Sequence, residues 1–206
     1  MPIQTPSKIV CVGRNYAAHA KEMGNDVPTE PLIFLKPPSS IIMNGASIRL
    51  PAVSKQVEFE GEIGVVVGRR LRRVSVEGAR DAVQAILAAN DVTARDLQRS
   101  DAQWTRAKGF DTFCALGEPG PVPAELSSLR VTTRVNGTVR QQGAATQMVF
   151  DIPFILAYIS NVMTLEAGDI VLTGSPDGVG TLSPGDVVEV EIPGVSRVSN
   201  PVTSDE

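Results

Sequence analysis

The sequence predicts a single α+β domain dominated by a bent or rolled mixed sheet. The chain has 206 residues, which is close to the usual size of one domain and enough to bury a core without disulfides. Its 18 Gly and 15 Pro divide it into short apolar runs of strand length. Because neither a repeat nor a linker interrupts the chain, residues 1–206 are interpreted as one domain.

The first fifty residues predict three strands and a helix. The apolar run at 8–13 is typical of a buried strand. Residues 16–23 have helical character, and the helix is expected to stop before Gly24. Short strands follow at 32–35 and 47–50, separated by a proline pair that breaks the sheet pattern.

The middle of the chain predicts one long strand and a helix that leads into another strand. Residues 57–67 begin with strict alternation of acidic and small or apolar side chains and then become almost fully apolar. Residues 75–87 are interpreted as a helix that runs into a strand near 88–93. One or two helical turns are expected at 93–100.

The last third predicts a hairpin, a helix and two strands. Asn136-Gly137 is the two-residue turn of a hairpin over 131–141, since type I′ turns need positive φ at both central residues. Asp151 is interpreted as the N-cap of a helix that continues to Val162. The remaining predictions are strands at 169–173 and 187–192 and a short polar C-terminal tail that frays from residue 196.

Composition argues against a nucleic-acid-binding, a secreted or a membrane protein. The net charge of −4 and the absence of a basic run argue against nucleic acid as a partner. Cys11 and Cys114 are too far apart for a metal-binding pair, which favours a reducing compartment. The first fifteen residues lack a signal-peptide pattern, and no run approaches the ~20 apolar residues of a membrane helix. The expected location is cytoplasmic, with no membrane partner.

Carboxylates at the start of the long strand are the first chemical signal. Glu58, Glu60 and Glu62 are two residues apart and therefore point to one side of a strand. Hard divalent cations bind such oxygens, although alternation alone also fits a polar outer face. Asp91 follows an apolar run and fits either a ligand or a turn, and Lys108 taken alone fits a surface residue.

Five segments together resemble the fumarylacetoacetate hydrolase family, in particular its acylpyruvase and oxaloacetate decarboxylase-like branch. They lie in the same order as in that family and span about 8–192. They are the G-R-N-Y-A-A-H-A-K-E start at 13–22, the E-F-E-G-E strand at 58–68, the D-V-T-A-R-D-L-Q segment ending at 98, the lysine segment at 104–111, and the T-G-S-P-D-G-V-G loop at 173–180.

The resemblance implies a fold and a metal site. The fold would be the mixed β-roll of the fumarylacetoacetase C-terminal catalytic domain, assembled as a homodimer. Glu60, Glu62 and Asp91 would bind Mg²⁺ or Mn²⁺, with Ca²⁺ able to take their place in crystals. Glu58 stands where relatives often carry Asp or His, so its role stays open.

The resemblance also assigns catalytic and binding residues. Lys108 would be the active-site lysine and would add positive charge where an enolate forms. His19 lies three residues before Glu22, so on a helix both face one way, and Glu22 can orient the imidazole that activates a water. The residues expected to hold substrate oxygens are Arg14, Gln98 and Ser175.

These assignments predict a metal-dependent enzyme that cleaves a C–C bond in a small 2-oxo mono- or dicarboxylate. The expected reactions are acylpyruvate hydrolysis and oxaloacetate decarboxylation through a metal-stabilised pyruvate enolate. One alternative is an isomerase or decarboxylase of aromatic catabolism, acting on 2-hydroxyhepta-2,4-diene-1,7-dioate or 5-oxopent-3-ene-1,2,5-tricarboxylate. An alternative of another class is an inactive, metal-stabilised binding protein.

Overall fold

A computed structural model describes residues 5–204 and contains fifteen strands and five α-helices within that range. The helices are α1 (Ala17–Glu22), α2 (Val76–Arg80), α3 (Arg95–Ser100), α4 (Thr105–Lys108) and α5 (Ile152–Val162). The strands are β1 (Ile9–Gly13), β2 (Leu32–Lys36), β3 (Ile41–Met43), β4 (Ile48–Leu50), β5 (Val57–Phe59), β6 (Gly61–Val67), β7 (Val83–Asp91), β8 (Thr93–Ala94), β9 (Cys114–Leu116), β10 (Arg130–Val135), β11 (Thr138–Ala144), β12 (Ile170–Leu172), β13 (Gly180–Thr181), β14 (Val187–Ile192) and β15 (Ser196–Ser204).

The strands form three sheets, which confirms the predicted α+β class with a mixed sheet. The largest has seven strands in the order β2-β1-β12-β6-β7-β9-β3. It is mixed, because β1 runs parallel to β12 and β3 parallel to β9 while the other pairs are antiparallel. A five-stranded sheet has the order β11-β10-β14-β15-β4, and a three-stranded sheet has the order β13-β5-β8.

The main apolar core lies between the seven-stranded sheet, the five-stranded sheet and α5. Ile63 and Val65 from β6 share this core with Val190 from β14 and with Ile155 and Leu156 from α5. All five side chains are almost fully buried. Burying a side chain of this size contributes roughly 1.5–3 kcal/mol, so this layer fixes the position of β6.

Close packing at the start of β6 depends on a glycine. A Cβ built on Gly61 would lie 1.9 Å from Thr133 Oγ1 on β10. Only glycine therefore lets the two sheets approach at this point, between Glu60 and Glu62. The carboxylates are carried by a strand that is packed tightly on both faces.

Most of the predicted elements are present, and the differences have physical reasons. The predicted helix over 75–87 is wrong beyond residue 80, because the apolar run after it is the first half of β7, which pairs with β6. The predicted strand over 57–67 is interrupted at Glu60. The frayed tail is also wrong: β15 lies between β14 and β4, with Val198 and Val202 buried.

Candidate active site

Three carboxylates meet at the junction of β6 and β7. The antiparallel register pairs Gly61 with Asn90, and the backbone N–H of Asp91 donates to Glu60 O at 2.8 Å. Glu60, Glu62 and Asp91 each offer an oxygen within 4.8 Å of the others. All three residues are buried, with exposures of 5%, 1% and 0%. The polar-surface interpretation of the alternating strand is therefore wrong.

Buried lysine and arginine side chains surround the three carboxylates. Lys108 Nζ donates to Glu60 Oε2 at 2.8 Å and to Asp91 Oδ2 at 2.5 Å. Lys36 Nζ donates to Asp91 Oδ1 at 2.6 Å. Arg95 Nη2 donates to Glu60 Oε1 at 2.5 Å. These bonds hold the carboxylates of Glu60 and Asp91 in fixed orientations.

Glu58 belongs to the wall of the cluster rather than to its centre. Its Oε2 accepts from Arg95 Nε at 2.7 Å, and its Oε1 accepts from Gln56 Nε2 at 2.6 Å. Arg95 thus bridges Glu58 and Glu60. In the structure Glu58 contacts Arg95 and Gln56 and is not one of the three grouped carboxylates.

The pKa values of Glu60 and Glu62 are shifted in opposite directions. Burial acts against ionisation of Glu60, but the charges of Lys108 and Arg95 hold its pKa well below the ordinary value. Burial raises the pKa of Glu62 well above the ordinary value, and the charges of Asp91 and Glu60 raise it further. Burial opposes the charge of Lys108, yet Asp91 and Glu60 raise its pKa, so the ammonium persists at neutral pH.

The donor set fits a hard divalent cation. Within residues 5–204, Glu62 has no Lys or Arg partner, and its Oε2 accepts only from the backbone N–H of Gly174, at 2.6 Å. A buried carboxylate without a counter-ion is costly, and a divalent cation bound beside it would favour its ionised form. Three carboxylate oxygens suit Mg²⁺ or Mn²⁺, which keep further positions for water or substrate.

Helix α1 closes one side of the cavity next to the carboxylates. His19 is 6% exposed, and its Nδ1 lies 3.0 Å from Glu22 Oε2. The other oxygen of Glu22 accepts from the backbone N–H of Gly178 at 3.0 Å. Glu22 therefore orients the imidazole and ties α1 to the 173–180 loop at the same time.

The cavity brings together all the residues that the sequence singled out for substrate binding. Arg14, Gln98 and Ser175 line it together with His19 and Lys108. Arg14 has φ of +58°, which costs a non-glycine residue roughly 1–2 kcal/mol, and its guanidinium carbon lies 6.0 Å from the centre of the Trp104 ring. Strain of this kind is common at functional sites.

The sequence interpretation gave no role to Lys36, Arg95 and Gln141. Lys36 is 1% exposed and Arg95 is 2% exposed, and both reach their acidic partners from distant parts of the chain. The available signal for Arg95 was its place inside the segment that also holds Asp91 and Gln98. Lys36 ends an apolar strand directly before two prolines, which is an unusual place for a surface lysine.

No helix among the described residues is long and apolar enough to cross a membrane. The longest, α5, has 11 residues.

Two named proteins and one solved structure are similar to this chain over most of its length. A protein named oxaloacetate decarboxylase, mitochondrial, from Dictyostelium discoideum is 42% identical over 93% of this chain and 91% of its own length. One named oxaloacetate tautomerase FAHD1, mitochondrial, from Arabidopsis thaliana is 43% identical over 93% of this chain and 89% of its own length. A crystal structure named 2-hydroxyhepta-2,4-diene-1,7-dioate isomerase, from Mycobacterium marinum, superposes with a TM-score of 0.89. The two sequences are 43% identical, and the superposition covers 98% of this chain and 76% of the other.

The family comparison agrees with the site geometry. The model of the fumarylacetoacetate (FAA) hydrolase C-terminal family matches residues 8–203, which is nearly the whole chain. This range includes the carboxylate cluster, the His19–Glu22 pair and the 173–180 loop. The chain belongs to the fumarylacetoacetate hydrolase family.

Proposed function

We propose that this protein is a divalent-metal-dependent enzyme that cleaves the C3–C4 bond of a small 2-oxo acid, with acylpyruvates and oxaloacetate as its substrates. One observation carries the proposal: the acidic cluster, the Lys108 ammonium and His19, whose Nδ1 contacts Glu22, all line a single cavity. The acidic cluster and Lys108 would serve both cleavage reactions, and the His19–Glu22 pair would serve hydrolysis. The names of the relatives support oxaloacetate as one of the substrates.

The metal would be held by Glu60, Glu62 and Asp91. When bound, Mg²⁺ or Mn²⁺ would supply Lewis-acid stabilisation of the negative charge that grows on the 2-oxo oxygen during C–C cleavage. Lys108 adds a second positive charge in the same buried space, where the electrostatic effect is stronger than in water. That charge is greatest in the transition state, so stabilising it raises the rate of the chemical step.

The His19–Glu22 pair serves the hydrolytic reaction. The Glu22 carboxylate accepts a hydrogen bond from Nδ1–H, which leaves Nε2 as the basic nitrogen of the imidazole. This nitrogen can take a proton from water that attacks the acyl carbon of an acylpyruvate. Oxaloacetate releases CO₂ instead and needs no attacking water. The pair therefore favours hydrolysis as one of the two activities.

Arg14, Gln98 and Ser175 are proposed to hold the substrate's oxygens. Gln98 Oε1 accepts from Arg95 Nη1 at 2.6 Å, so the amide nitrogen of Gln98 is left to donate to substrate. Arg14 supplies a cation for a distal carboxylate, which suits a dicarboxylate such as oxaloacetate. We further propose that the active protein is a homodimer, as the family resemblance implies.

A second candidate is oxaloacetate tautomerisation, which moves a proton between C3 and the 2-oxo oxygen. It is favoured by the same two features, because His19 can carry the proton while Lys108 stabilises the enolate. The name of the Arabidopsis relative also supports it. Tautomerisation and cleavage share the enolate and differ in whether the C3–C4 bond breaks.

A substrate panel tests the proposal. Protein stripped with EDTA is assayed with acetylpyruvate, enolic oxaloacetate and hydroxyheptadienedioate, before and after addition of Mg²⁺ or Mn²⁺. Protein-free metal and the Asp91→Ala variant correct for decarboxylation by the metal alone. We expect metal-dependent release of pyruvate from the first two substrates.

The other outcomes each select a different function. Loss of the enol absorbance without pyruvate selects the tautomerase. Turnover of the diene alone selects the isomerase of aromatic catabolism. Metal-dependent thermal stabilisation without any turnover selects the inactive binding protein, and full activity in metal-free protein would overturn the assignment of the carboxylates.

A further inference from the structure

Gln141 is a buried amide that the predicted catalytic set did not include. It lies on β11, is 1% exposed, and connects two segments that carry the site. Its Oε1 accepts from the backbone N–H of Gly61 at 2.9 Å, between the ligands Glu60 and Glu62. Its Nε2 donates to Ser175 Oγ at 2.7 Å and to Pro176 O at 2.7 Å.

The orientation of this amide is fixed by its two backbone partners. A backbone N–H can only donate, and a backbone carbonyl can only accept. If the amide were reversed, its NH₂ would face the N–H of Gly61 and its oxygen would face Pro176 O, which would leave buried polar groups unpaired. The nitrogen of Gln141 must therefore face Ser175, and Ser175 Oγ must accept.

Accepting this hydrogen bond leaves the hydroxyl proton of Ser175 for another partner. Among the described residues the only acceptor within reach is Pro176 O at 3.2 Å, which is long for an O–H···O bond and already accepts from Gln141. Ser175 is 3% exposed and lines the cavity that holds the carboxylate cluster. The proton is therefore directed by elimination toward a ligand in that cavity.

We propose that Gln141 is a positioning residue that keeps Ser175 as a hydrogen-bond donor to an anionic oxygen of the substrate, which is its carboxylate in the proposed function. A serine hydroxyl rotates freely and would otherwise be able to turn and donate to protein oxygens. The amide removes that freedom, because it occupies the lone-pair side of Oγ. The inference rests on the proposed function for the identity of the oxygen that Ser175 binds. It adds Gln141, which lies outside the cavity, to the residues that determine whether an anionic group can bind there.

The chain offers a matched substitution for testing this role. Gln141→Glu keeps the size of the side chain and the oxygen that accepts from Gly61, but it replaces the donor facing Ser175 with an oxygen. In either protonation state, the introduced carboxyl group has at most one proton for the two acceptors that Gln141 now serves. When this carboxyl group is ionised, or when its proton is donated to Pro176 O, Ser175 would donate to it instead of to substrate. Gln141→Met is the uncharged second variant, since its side chain has no donor at any pH.

The test is a double-mutant cycle with Ser175→Ala, in which kcat and KM for oxaloacetate are measured at saturating Mg²⁺. We expect Ser175→Ala and Gln141→Glu each to raise KM about ten- to hundredfold, the size expected for a lost hydrogen bond to a charged group. The two changes together should raise KM no further than either alone. The Mg²⁺ activation constant should change little, which a merely structural role in holding the metal-binding strand would not allow. The Gln141 variants should also melt at a lower temperature, because Pro176 O loses its donor.

Several results would overturn the inference. An unchanged KM in Ser175→Ala would do so even if neither Gln141 variant folds. Multiplicative effects in the double variant would show that Gln141 and Ser175 act independently. If the unaltered protein turns over none of the 2-oxo acids, the proposed function fails instead, and pyruvate binding by titration calorimetry on Mg²⁺-loaded protein replaces KM as the readout. Equal weakening of pyruvate binding in both single variants would still support the inference.

Discussion

Replacing Glu22 with Gln should reverse the tautomer of His19 without undocking α1. In the structure one oxygen of Glu22 accepts from Gly178 N–H and the other faces His19 Nδ1, each at 3.0 Å. A glutamine at this position must place its oxygen toward Gly178, because two N–H groups cannot bond each other. Its NH₂ then donates to Nδ1, which forces the proton onto Nε2 and removes the base.

The expected loss follows from these contacts. Restoring the original tautomer in Glu22→Gln would leave a hydrogen bond unmade, which costs roughly 1–3 kcal/mol and lowers the population of active imidazole about 5- to 150-fold. The variant also lacks the negative charge that stabilises the imidazolium. Acylpyruvate hydrolysis should therefore fall by the ~10²–10⁴ typical of general-base assistance. Oxaloacetate decarboxylation, which needs no water nucleophile, should fall less than about tenfold.

The assay compares both reactions in the same preparations at saturating Mg²⁺. Glu22→Ala is the matched control, since it loses the Gly178 contact as well as the orientation of His19, and His19→Ala removes the base itself. If Glu22→Gln lowers hydrolysis and decarboxylation equally, the pair acts in closing α1 over the cavity rather than in activating water. Undiminished hydrolysis in Glu22→Gln would refute the tautomer argument outright.

Three further predictions follow from the same structure, and a fourth follows from the family resemblance. Asp91→Ala should lower metal affinity and turnover by orders of magnitude, measured by metal titration and kcat, while circular dichroism shows a retained fold. Lys108→Ala should damage hydrolysis and decarboxylation alike, in contrast to His19→Ala. Burial opposes ionisation of Asp169, but hydrogen bonds from Lys8, Glu166 N–H and Ser7 lower its pKa. This carboxylate therefore contributes stability above the unfolded-state pKa of ~3.9 that disappears as the pH falls through the lower folded-state pKa. Urea unfolding should show Asp169→Asn destabilised by roughly 2–3 kcal/mol at pH 7, and the difference should shrink as the pH falls below ~3.9. Sedimentation at micromolar concentration should show a dimer, and a monomer alone would contradict the assembly.

Local pattern was enough to predict most of the elements, and it failed where two structures share one pattern. The run after residue 82 is apolar and short, and such a run fits a buried strand as well as a helix. Only its pairing with β6 decides the matter. The tail was judged by its polar residues, although Val198, Asn200 and Val202 alternate and are buried on one face of β15.

The acidic residues of the candidate site could be predicted from the sequence, whereas its buried lysine could not. Glu60, Glu62 and Asp91 lie in motifs whose resemblance to the family implies metal binding, and the structure brings them together. Lys36 could not be predicted in this way, because its partner Asp91 is 55 residues away and lies on a strand that is not its neighbour in the sheet. A buried lysine is recognised by its partners, which sequence pattern does not supply.

The position of β15 has a consequence for how the chain is made. β4 pairs in parallel with β15, although roughly 150 residues separate the two strands. At a synthesis rate of ~5–20 residues per second, β4 waits on the order of 10–30 s on the ribosome for its partner to appear. The β6–β7 pair, by contrast, can form as soon as its short connection has emerged. The strands that carry the acidic cluster are thus available to each other well before the five-stranded sheet can close, and the edge of β4 stays unpaired and open to mispairing in the meantime.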